Sequence, residues 1–137
     1  MTISIEESLL LVRTKLLSIA AITDLVEDRV YTDHFYEFDD STVKMPLIII
    51  DIQGGKSNYG MGYQSLKFDI YCYSKTSSSQ TVGLYDLVYN NLHATRLENA
   101  NLSNKGMAYE TERPDTDYNT KIRAWFSQGK FTINLAG

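Results

Sequence analysis

Apolar residues recur near the start of the chain at the three- or four-residue spacing of an α-helix: Leu9, Val12, Leu16 and Ile19. Ser4 and Glu7 form a capping box, in which the two side chains satisfy backbone N–H groups of the first helical turn. The pattern therefore predicts an amphipathic helix from about Ser4 to about Ala21. Thr23 is expected to cap a single short turn after this helix, and residues 29–31 are expected to form a brief extended piece.

The middle of the chain carries two stretches with the pattern of β-strands. Residues 47–52 are almost continuously apolar and rich in β-branched side chains, which is typical of a central strand covered on both faces. Residues 63–73 alternate in polarity, which predicts a strand with two different faces. Its apolar face carries Leu66, Phe68, Ile70 and Cys72. Downstream, Ser77 and Gln80 form a second capping box, which predicts a second helix that ends near His93.

The remaining chain predicts loops and further strand. Residues 32–45 and 96–106 show neither period and are predicted to be long loops. Residues 107–110 are predicted to be a short strand, and the sequence ERPDTD that follows is predicted to be a turn. The last element is a long strand over 120–135, in which Gly129 marks a bulge or bend.

Length and composition agree with one folded unit. A chain of 137 residues, 43% of them hydrophobic, can bury a core, so residues 1–137 are predicted to be a single domain. The element order predicts an α+β fold: a single, mainly antiparallel sheet of about four to five strands with two helices packed on one face.

Charge and the N-terminal sequence narrow the function classes. Thirteen basic and seventeen acidic residues give a net charge of -4, without the dense Lys/Arg cluster that grips a phosphate backbone. The first residues lack the basic start of a secretory signal, and no apolar run reaches the roughly 18 residues of a membrane span. We therefore expect a soluble, unexported protein that does not bind nucleic acid tightly.

The sequence GGKS at residues 54–57 looks like the end of a phosphate-binding loop but fails two requirements. The motif needs its first glycine five residues before Gly55, where Ile50 stands, and it must open a helix. Here the sequence leads into a strand instead. A glycine-rich hairpin loop over residues 53–62 is therefore predicted.

The remaining residues form no constellation typical of an enzyme. Cys72 lies on the apolar face of its strand, so we expect a buried hydrophobe rather than a nucleophile served by His34 or His93. His93 is expected to contact the last carbonyls of its helix. One acidic loop group lacks the ligand spacing of a calcium site: Asp33, His34, Glu37, Asp39 and Asp40. We expect no enzymatic activity, no cofactor and no metal.

Aromatic side chains are expected on the side of the sheet away from the helices. Strand alternation places Tyr71 and Tyr73 there, with Trp125 beside Arg123 on the last strand. The helix side of that last strand would carry Ile122, Ala124 and Phe126. Because Tyr, Trp and Arg are enriched in protein interfaces, we predict that Tyr71, Tyr73, Arg123 and Trp125 join copies of the protein. The alternative is that loop 32–45 folds back over this face.

Four stretches of the chain resemble, in order, the tail terminator or tail-completion family of long-tailed bacteriophages: SIAAITDLVEDRVY, MPLIIIDIQ, FDIYCYSK and KIRAWFSQGKFTINL. In that family a first helix leads into a segment like Asp28–Tyr31. A loop then ends in a proline, as at Pro46, before an apolar strand. A strand with an aspartate and aromatic residues, as at 68–73, precedes the second helix.

The resemblance implies a virion structural protein that forms a ring, commonly of six copies. Such a ring caps the last layer of tail-tube protein, ends tube growth and meets the head-side connector, while DNA passes through without sequence-specific binding. The implied location is the virion tail or neck, with assembly in the host cytoplasm and no membrane partner. The loops proposed to contact tube or connector carry Phe35, Tyr36, Phe38, Lys56, Tyr59 and Met61.

Two alternatives stay open at this point. One is a head-side connector or stopper protein of the neck, which would also assemble as a ring. A small α+β ligand-binding domain or enzyme would instead need a concave polar pocket that holds Cys72, or a histidine near a carboxylate.

Overall fold

The structure, a computed structural model, describes residues 5–32, 43–58, 63–98 and 105–136. These residues form three helices and six strands: α1 (Ile5–Leu17), α2 (Ala20–Val26), β1 (Val30–Tyr31), β2 (Leu47–Asn58), β3 (Tyr63–Ser74), α3 (Ser78–Leu92), β4 (Thr95–Glu98), β5 (Lys105–Asn119) and β6 (Ala124–Ala136). The strands form one sheet in the order β1-β2-β3-β6-β5-β4. β1 runs parallel to β2 and all other neighbours are antiparallel, and the sheet curls into a half-barrel.

The predicted fold class, four to five mainly antiparallel strands with two helices, is therefore wrong. The structure has a mixed six-stranded sheet and a third helix within the described residues. The parallel strand β1 is held by tertiary hydrogen bonds. Ile48 N–H donates to Arg29 O over 3.0 Å, and Arg29 Nε donates to Pro46 O over 3.1 Å. A two-residue strand has no alternation of its own, so the sequence pattern could not show this pairing.

The predicted first helix is divided in two. α1 ends before Ile19, which has an extended backbone (φ -97°, ψ 112°), and α2 begins at Ala20. α2 buries Ile22 and Val26 in the core. Thr23 lies inside α2, where its Oγ1 donates to Ala20 O over 3.3 Å, so its predicted capping role is wrong. Neither glycine nor proline marks the break, and the sequence therefore reads as one helix.

β2 and β3 confirm the two predicted central strands, and β2 is longer than predicted. It continues through the GGKS sequence, where Gly54 and Gly55 pair with β3 after a register shift at Ile52. The predicted loop is therefore a strand at residues 53–58, while residues 59–62 lie outside the described part. A strand spreads its N–H groups along the ladder instead of curling them around an anion.

α3 confirms the predicted second helix and half of its cap. Ser77 Oγ accepts a hydrogen bond from the backbone N–H of Gln80 over 3.1 Å. The Gln80 side chain accepts a hydrogen bond from Ser74 Oγ, rather than from the N–H of Ser77 as a full capping box requires. The other predicted box cannot be compared, because Ser4 lies outside the described residues.

β5 departs furthest from the sequence prediction. It spans fifteen residues, although only residues 107–110 were predicted to be strand and ERPDTD was predicted to be a turn. Two register shifts against β6 flank Glu112, and Pro114 is accommodated there because proline is tolerated at strand edges and bulges. β4 pairs with the first four residues of β5, inside the segment predicted to be a loop. The turn prediction is therefore wrong, and the loop prediction is wrong at residues 96–98 and 105–106, while residues 99–104 lie outside the described part.

A turn at residues 120–123 joins β5 to β6 and replaces the predicted start of the last strand. Asn119 Oδ1 accepts hydrogen bonds from the backbone N–H groups of Lys121 (2.9 Å) and Ile122 (3.3 Å). Arg123 completes the turn in the left-handed region, with φ 51°. An asparagine that bonds its own backbone in this way is a frequent turn former.

The main core lies between the helices and one face of the sheet. It contains the predicted apolar face of β3 and apolar side chains from α1, α2 and α3. Phe68 of β3 stacks on Phe131 of β6, with ring centroids 5.8 Å apart. Cys72 is fully buried in this layer, as the alternation of β3 predicted.

α3 approaches β6 closely because the β6 residues beneath it are small. The hydroxyls of Thr81 and Ser127 lie 2.9 Å apart, and Tyr85 covers Gly129, where an added Cβ would overlap the Tyr85 ring and hydroxyl. Gly129 pairs with Ile70 in an unbroken β3–β6 register. The β5–β6 register shift between Glu112 and Asp115 lies opposite Gly129. The predicted irregularity is therefore present but belongs to β5, and Gly129 itself is a site of close approach to α3.

Candidate interaction surfaces

The predicted interface residues lie on two different sides of the sheet. The β3–β6 register places Tyr73 opposite Phe126 and Ser74 opposite Trp125, and directly opposite residues share a face. Tyr71 and Tyr73 therefore lie with Phe126 on the side away from the helices, whereas Trp125 lies on the helix side. The predicted common face of Tyr71, Tyr73 and Trp125 is wrong.

The face away from the helices carries a small second core. Its members from the strands and the β5–β6 turn are Leu47, Ile49, Tyr73, Ile122 and Ala124, with Tyr31, Tyr71 and Phe126 partly buried against them. The prediction that Ile122, Ala124 and Phe126 take the helix side is therefore also wrong. We call this second core the aromatic face.

The chain itself covers much of the aromatic face. Val43 and Met45, from the end of the predicted loop 32–45, pack against it, and Lys75 Nζ donates to Val43 O over 3.0 Å. Tyr73 is only 3% exposed, and burial raises its pKa above the ordinary value for tyrosine. The alternative that this loop folds back is supported by its described end, so the large open apolar patch expected from the sequence is much reduced.

A row of charged residues crosses the same face beyond the aromatic side chains. Asp51, Asp69, Lys130 and Glu112 occupy directly opposed positions on β2, β3, β6 and β5. Asp69 is only 4% exposed and accepts a hydrogen bond from Gln128 Nε2 over 2.8 Å. The pKa of Tyr71 is raised by burial and then by the negative charges of Asp69 and Asp51.

The end of the β5–β6 hairpin presents an aromatic pair. Tyr118 and Trp125 are directly opposed and meet edge to face, with ring centroids 4.9 Å apart. Tyr118 is 40% exposed, Trp125 is partly exposed, and Arg123 is exposed at the turn. We call Tyr118, Trp125 and the turn between them the hairpin end. Trp125 and Arg123 are predicted interface residues, whereas the sequence pattern gives no sign of Tyr118, because the preceding residues ERPDTD have the composition of a turn.

A groove lies between α1 and the edge strand β4, and the sequence analysis did not anticipate it. Its volume is about 260 Å³. Buried Leu11 and Leu97 form the floor. The rim carries Thr14, Lys15, Arg96 and Glu98. Arg96 Nε and Glu98 Oε2 are 3.6 Å apart, and both side chains remain exposed. We call this the α1–β4 groove.

The enzyme alternative finds no support among the described side chains. Burial raises the pKa of the Cys72 thiol, which opposes formation of a thiolate nucleophile. His93 Nδ1 accepts the backbone N–H of Glu110 over 2.9 Å, and the His93 ring stacks on Tyr89 at 4.8 Å. The His93 side chain therefore bonds β5, whereas the predicted contact with a carbonyl at the helix end is made by the His93 backbone N–H, which donates to Tyr89 O over 3.0 Å.

Other predicted sites lie partly or wholly outside the described residues. Of the proposed tube or connector contacts, Phe35, Tyr36, Phe38, Tyr59 and Met61 lie outside, and Lys56 lies in β2. The acidic loop residues Asp33, His34, Glu37, Asp39 and Asp40 also lie outside. Among the side chains that the structure describes, no three of the His, Cys, Asp and Glu type converge as metal ligands do. Of the described helices, none combines the length and apolarity needed to cross a bilayer.

Comparison with known proteins gives a structural match without a sequence match. No protein-family model matches the chain, and no curated protein matches it in sequence. The fold is similar to that of a chain in the virion of a native gene transfer agent particle. The two share 15% sequence identity with a TM-score of 0.65, and the match covers 92% of each chain. At this level of identity the likeness shows a shared fold.

Proposed function

We propose that this protein is a structural component of a virion. The observation that carries this proposal is the fold likeness to a virion chain over 92% of both chains. A likeness that spans both chains almost completely argues against an insertion or a fused domain as its cause. The role is proposed to be non-enzymatic, which fits a buried Cys72 thiol and a His93 ring engaged in structural contacts.

Within the virion, the proposed role is that of a tail terminator. Copies form a ring, commonly of six in the family that the chain resembles, that caps the tail tube and joins it to the head-side connector. Four sequence stretches that resemble the tail terminator family support this narrower role. The exposed hairpin end supports it as well, because Trp125 and Arg123 are residue types that interfaces favour.

A co-sedimentation assay tests the proposed role. Purified protein is mixed separately with polymerised tail tubes and with head-side connector complexes, and pelleted material is quantified. We expect saturable binding to tubes at a stoichiometry of one ring per tube end, because a terminator contacts only the last tube layer. Binding along the whole tube, or no binding, would contradict the proposal. Binding to connectors alone would assign the protein to the head-side stopper class instead.

A further inference from the structure

We propose that the outer edge of β5 is protected by its own chain against the addition of a strand from a second copy, and that His93 and Asp117 provide this protection. The outer edge is the side of β5 that faces away from β6. β4 pairs there with residues 105–108 only, so residues 109–119 have no neighbouring strand on that side in the described part of the chain. An edge of this length is a template for pairing between molecules.

The pairing of β5 with β6 shows which N–H groups of β5 point outward. Neighbouring pairs in an antiparallel ladder alternate between pairs that exchange two backbone hydrogen bonds and pairs that exchange none. Glu110, opposite Phe131, sends its N–H outward to His93. Because β6 keeps an unbroken register with β3, every second β6 residue counted from Phe131 has the same backbone orientation. Their partners on β5 therefore point outward: Glu110, Thr116 and Tyr118.

Two of these three N–H groups are capped by side chains of the same chain. The N–H of Glu110 donates to His93 Nδ1 over 2.9 Å, and the N–H of Tyr118 donates to Asp117 Oδ1 over 2.8 Å. The His93 ring is held in place by stacking on Tyr89, with ring centroids 4.8 Å apart. A strand that adds to this edge must break both hydrogen bonds before it can accept these N–H groups.

The rest of the outer edge is unsuited to pairing. Pro114 has no N–H to donate, and the register shifts on both sides of Glu112 interrupt the regular series of outward groups. The third outward N–H, that of Thr116, lies beyond Pro114 and is an isolated donor. Exposed carboxylates lie along the same strand at Glu112, Asp115 and Asp117. β5 of a second copy would bring like charges against them, which destabilises a strand pair.

Protection of this edge has a consequence for assembly. Sheets that join edge to edge in a head-to-tail manner grow into open filaments unless the rotation closes them. A protected β5 edge removes this route, so the contacts between copies in the proposed ring are made by other surfaces. This inference goes beyond the proposed function and does not depend on it, because the protection acts in the single chain.

Amide hydrogen exchange measured by NMR tests the cap made by Asp117. Asp117→Ala removes the acceptor, whereas Asp117→Asn removes the charge and keeps an oxygen that can accept the bond. After correction for intrinsic rates, we expect the Tyr118 N–H to exchange about tenfold faster in Asp117→Ala, because the net contribution of a hydrogen bond is lost, and to change much less in Asp117→Asn. An unchanged rate in Asp117→Ala, or equal acceleration in both variants, overturns this cap.

The cap made by His93 is tested in the same way. His93→Phe keeps an aromatic ring beside Tyr89 but has no acceptor for the Glu110 N–H. We expect this N–H to exchange about tenfold faster than in the wild type, and an unchanged rate overturns the cap. Both exchange experiments use single substitutions at low protein concentration and without tail tubes, so their failure leaves the proposed virion role untouched.

A combined variant tests whether the caps prevent strand addition. His93→Phe, Pro114→Ala and Asp117→Ala together remove both caps and restore the missing donor. The control variant, Glu112→Ala with Asp115→Ala, removes two charges from the same strand and keeps the caps. Sedimentation velocity over a concentration series, with circular dichroism to verify folding, compares both variants with the wild type in the absence of tail tubes.

We expect only the combined variant to form species larger than those of the wild type, in amounts that increase with concentration. In these species the N–H groups of Thr116 and Tyr118 should exchange more slowly than in the dilute variant, because a second strand then accepts them. The same size distribution for folded combined variant, control and wild type overturns the proposal. If the combined variant does not fold, the exchange rates of the single variants decide.

Discussion

Single residues decide how closely α3 packs on the sheet. Alternation correctly placed four residues on the helix side of β3, because apolar side chains occupy every second position there: Leu66, Phe68, Ile70 and Cys72. The same reasoning failed on β6, where the helix face carries Ser127 and Gly129. These small residues do not look like core positions in a sequence, yet they admit Thr81 and Tyr85 of α3.

Gly129 tests this explanation of the close helix approach. In Gly129→Ala, the new Cβ would overlap buried Tyr85, whose hydroxyl donates to Glu110 Oε2 over 2.6 Å. Either the helix shifts or this hydrogen bond is lost, so we expect destabilisation of about 1–3 kcal/mol. Urea unfolding provides the measurement, and an unchanged free energy of unfolding would refute the close-approach role.

Gly83 provides the matched control for Gly129. It lies in α3 with ordinary helical backbone, is exposed, and has no atom within 4 Å of an added Cβ. Gly83→Ala should therefore stabilise the protein by about 1 kcal/mol, because alanine is the better helix former and restricts the unfolded chain. Destabilisation by Gly83→Ala in the same urea series would show that the two glycines do not differ in the way described.

Helices and strands with a clear hydrophobic period or a capping residue could be predicted from the sequence. Short strands that form only by pairing with neighbouring strands could not. The sequence correctly predicted β2, β3 and α3, since each has a sustained period or a cap. β1 and β4 are short strands whose existence depends on neighbours, and β5 contains Pro114 and acidic residues that also mark turns. The hairpin end was therefore not predicted: the sequence pattern placed Trp125 on the wrong face and Arg123 in a strand, and it did not indicate Tyr118.

The N-terminal cap of α3 gives a prediction at the level of one element. Ser77→Ala removes the oxygen that accepts the Gln80 N–H, so one N–H of the first turn loses its partner. We expect a loss of about 1 kcal/mol in the free energy of unfolding, and a smaller loss for Ser77→Asp, which can still accept this bond. Equal stabilities of Ser77→Ala and wild type in thermal and urea unfolding would argue against a capping role.

Across the whole molecule, buried tyrosines on both sides of the sheet couple stability to alkaline pH. Burial raises the pKa values of Tyr73 on the aromatic face and of Tyr85, which α3 packs against the other face. Above about pH 10 the unfolded chain loses these protons while the folded protein keeps them, so rising pH favours unfolding. Stability should be insensitive to these two groups below about pH 9 and should fall above pH 10.

The alkaline decline can be measured by urea unfolding between pH 8 and 11. Tyr73 alone is expected to contribute a slope of about 1.4 kcal/mol per pH unit above pH 10. Tyr73→Phe should therefore show a shallower decline than the wild type over the same range. Parallel profiles for wild type and Tyr73→Phe would contradict the assignment of Tyr73 as a buried, protonated group.

At the scale of assembly, the structure leaves less of the aromatic face open for contacts between copies than the sequence predicts. The sequence predicts an aromatic surface that is covered either by another copy or by loop 32–45, and Val43 and Met45 from the end of that loop pack on it. An interface role for Tyr71 and Tyr73 stays a prediction. Among the described residues, the hairpin end and the α1–β4 groove are two further exposed surfaces.

Cryo-electron microscopy of the purified protein mixed with its tail tubes tests the central claim most directly. The account predicts a closed ring of copies seated on one end of each tube. Tubes with bare ends, beside protein that stays monomeric at high concentration, would contradict the proposal that this fold serves as a capping ring of a virion.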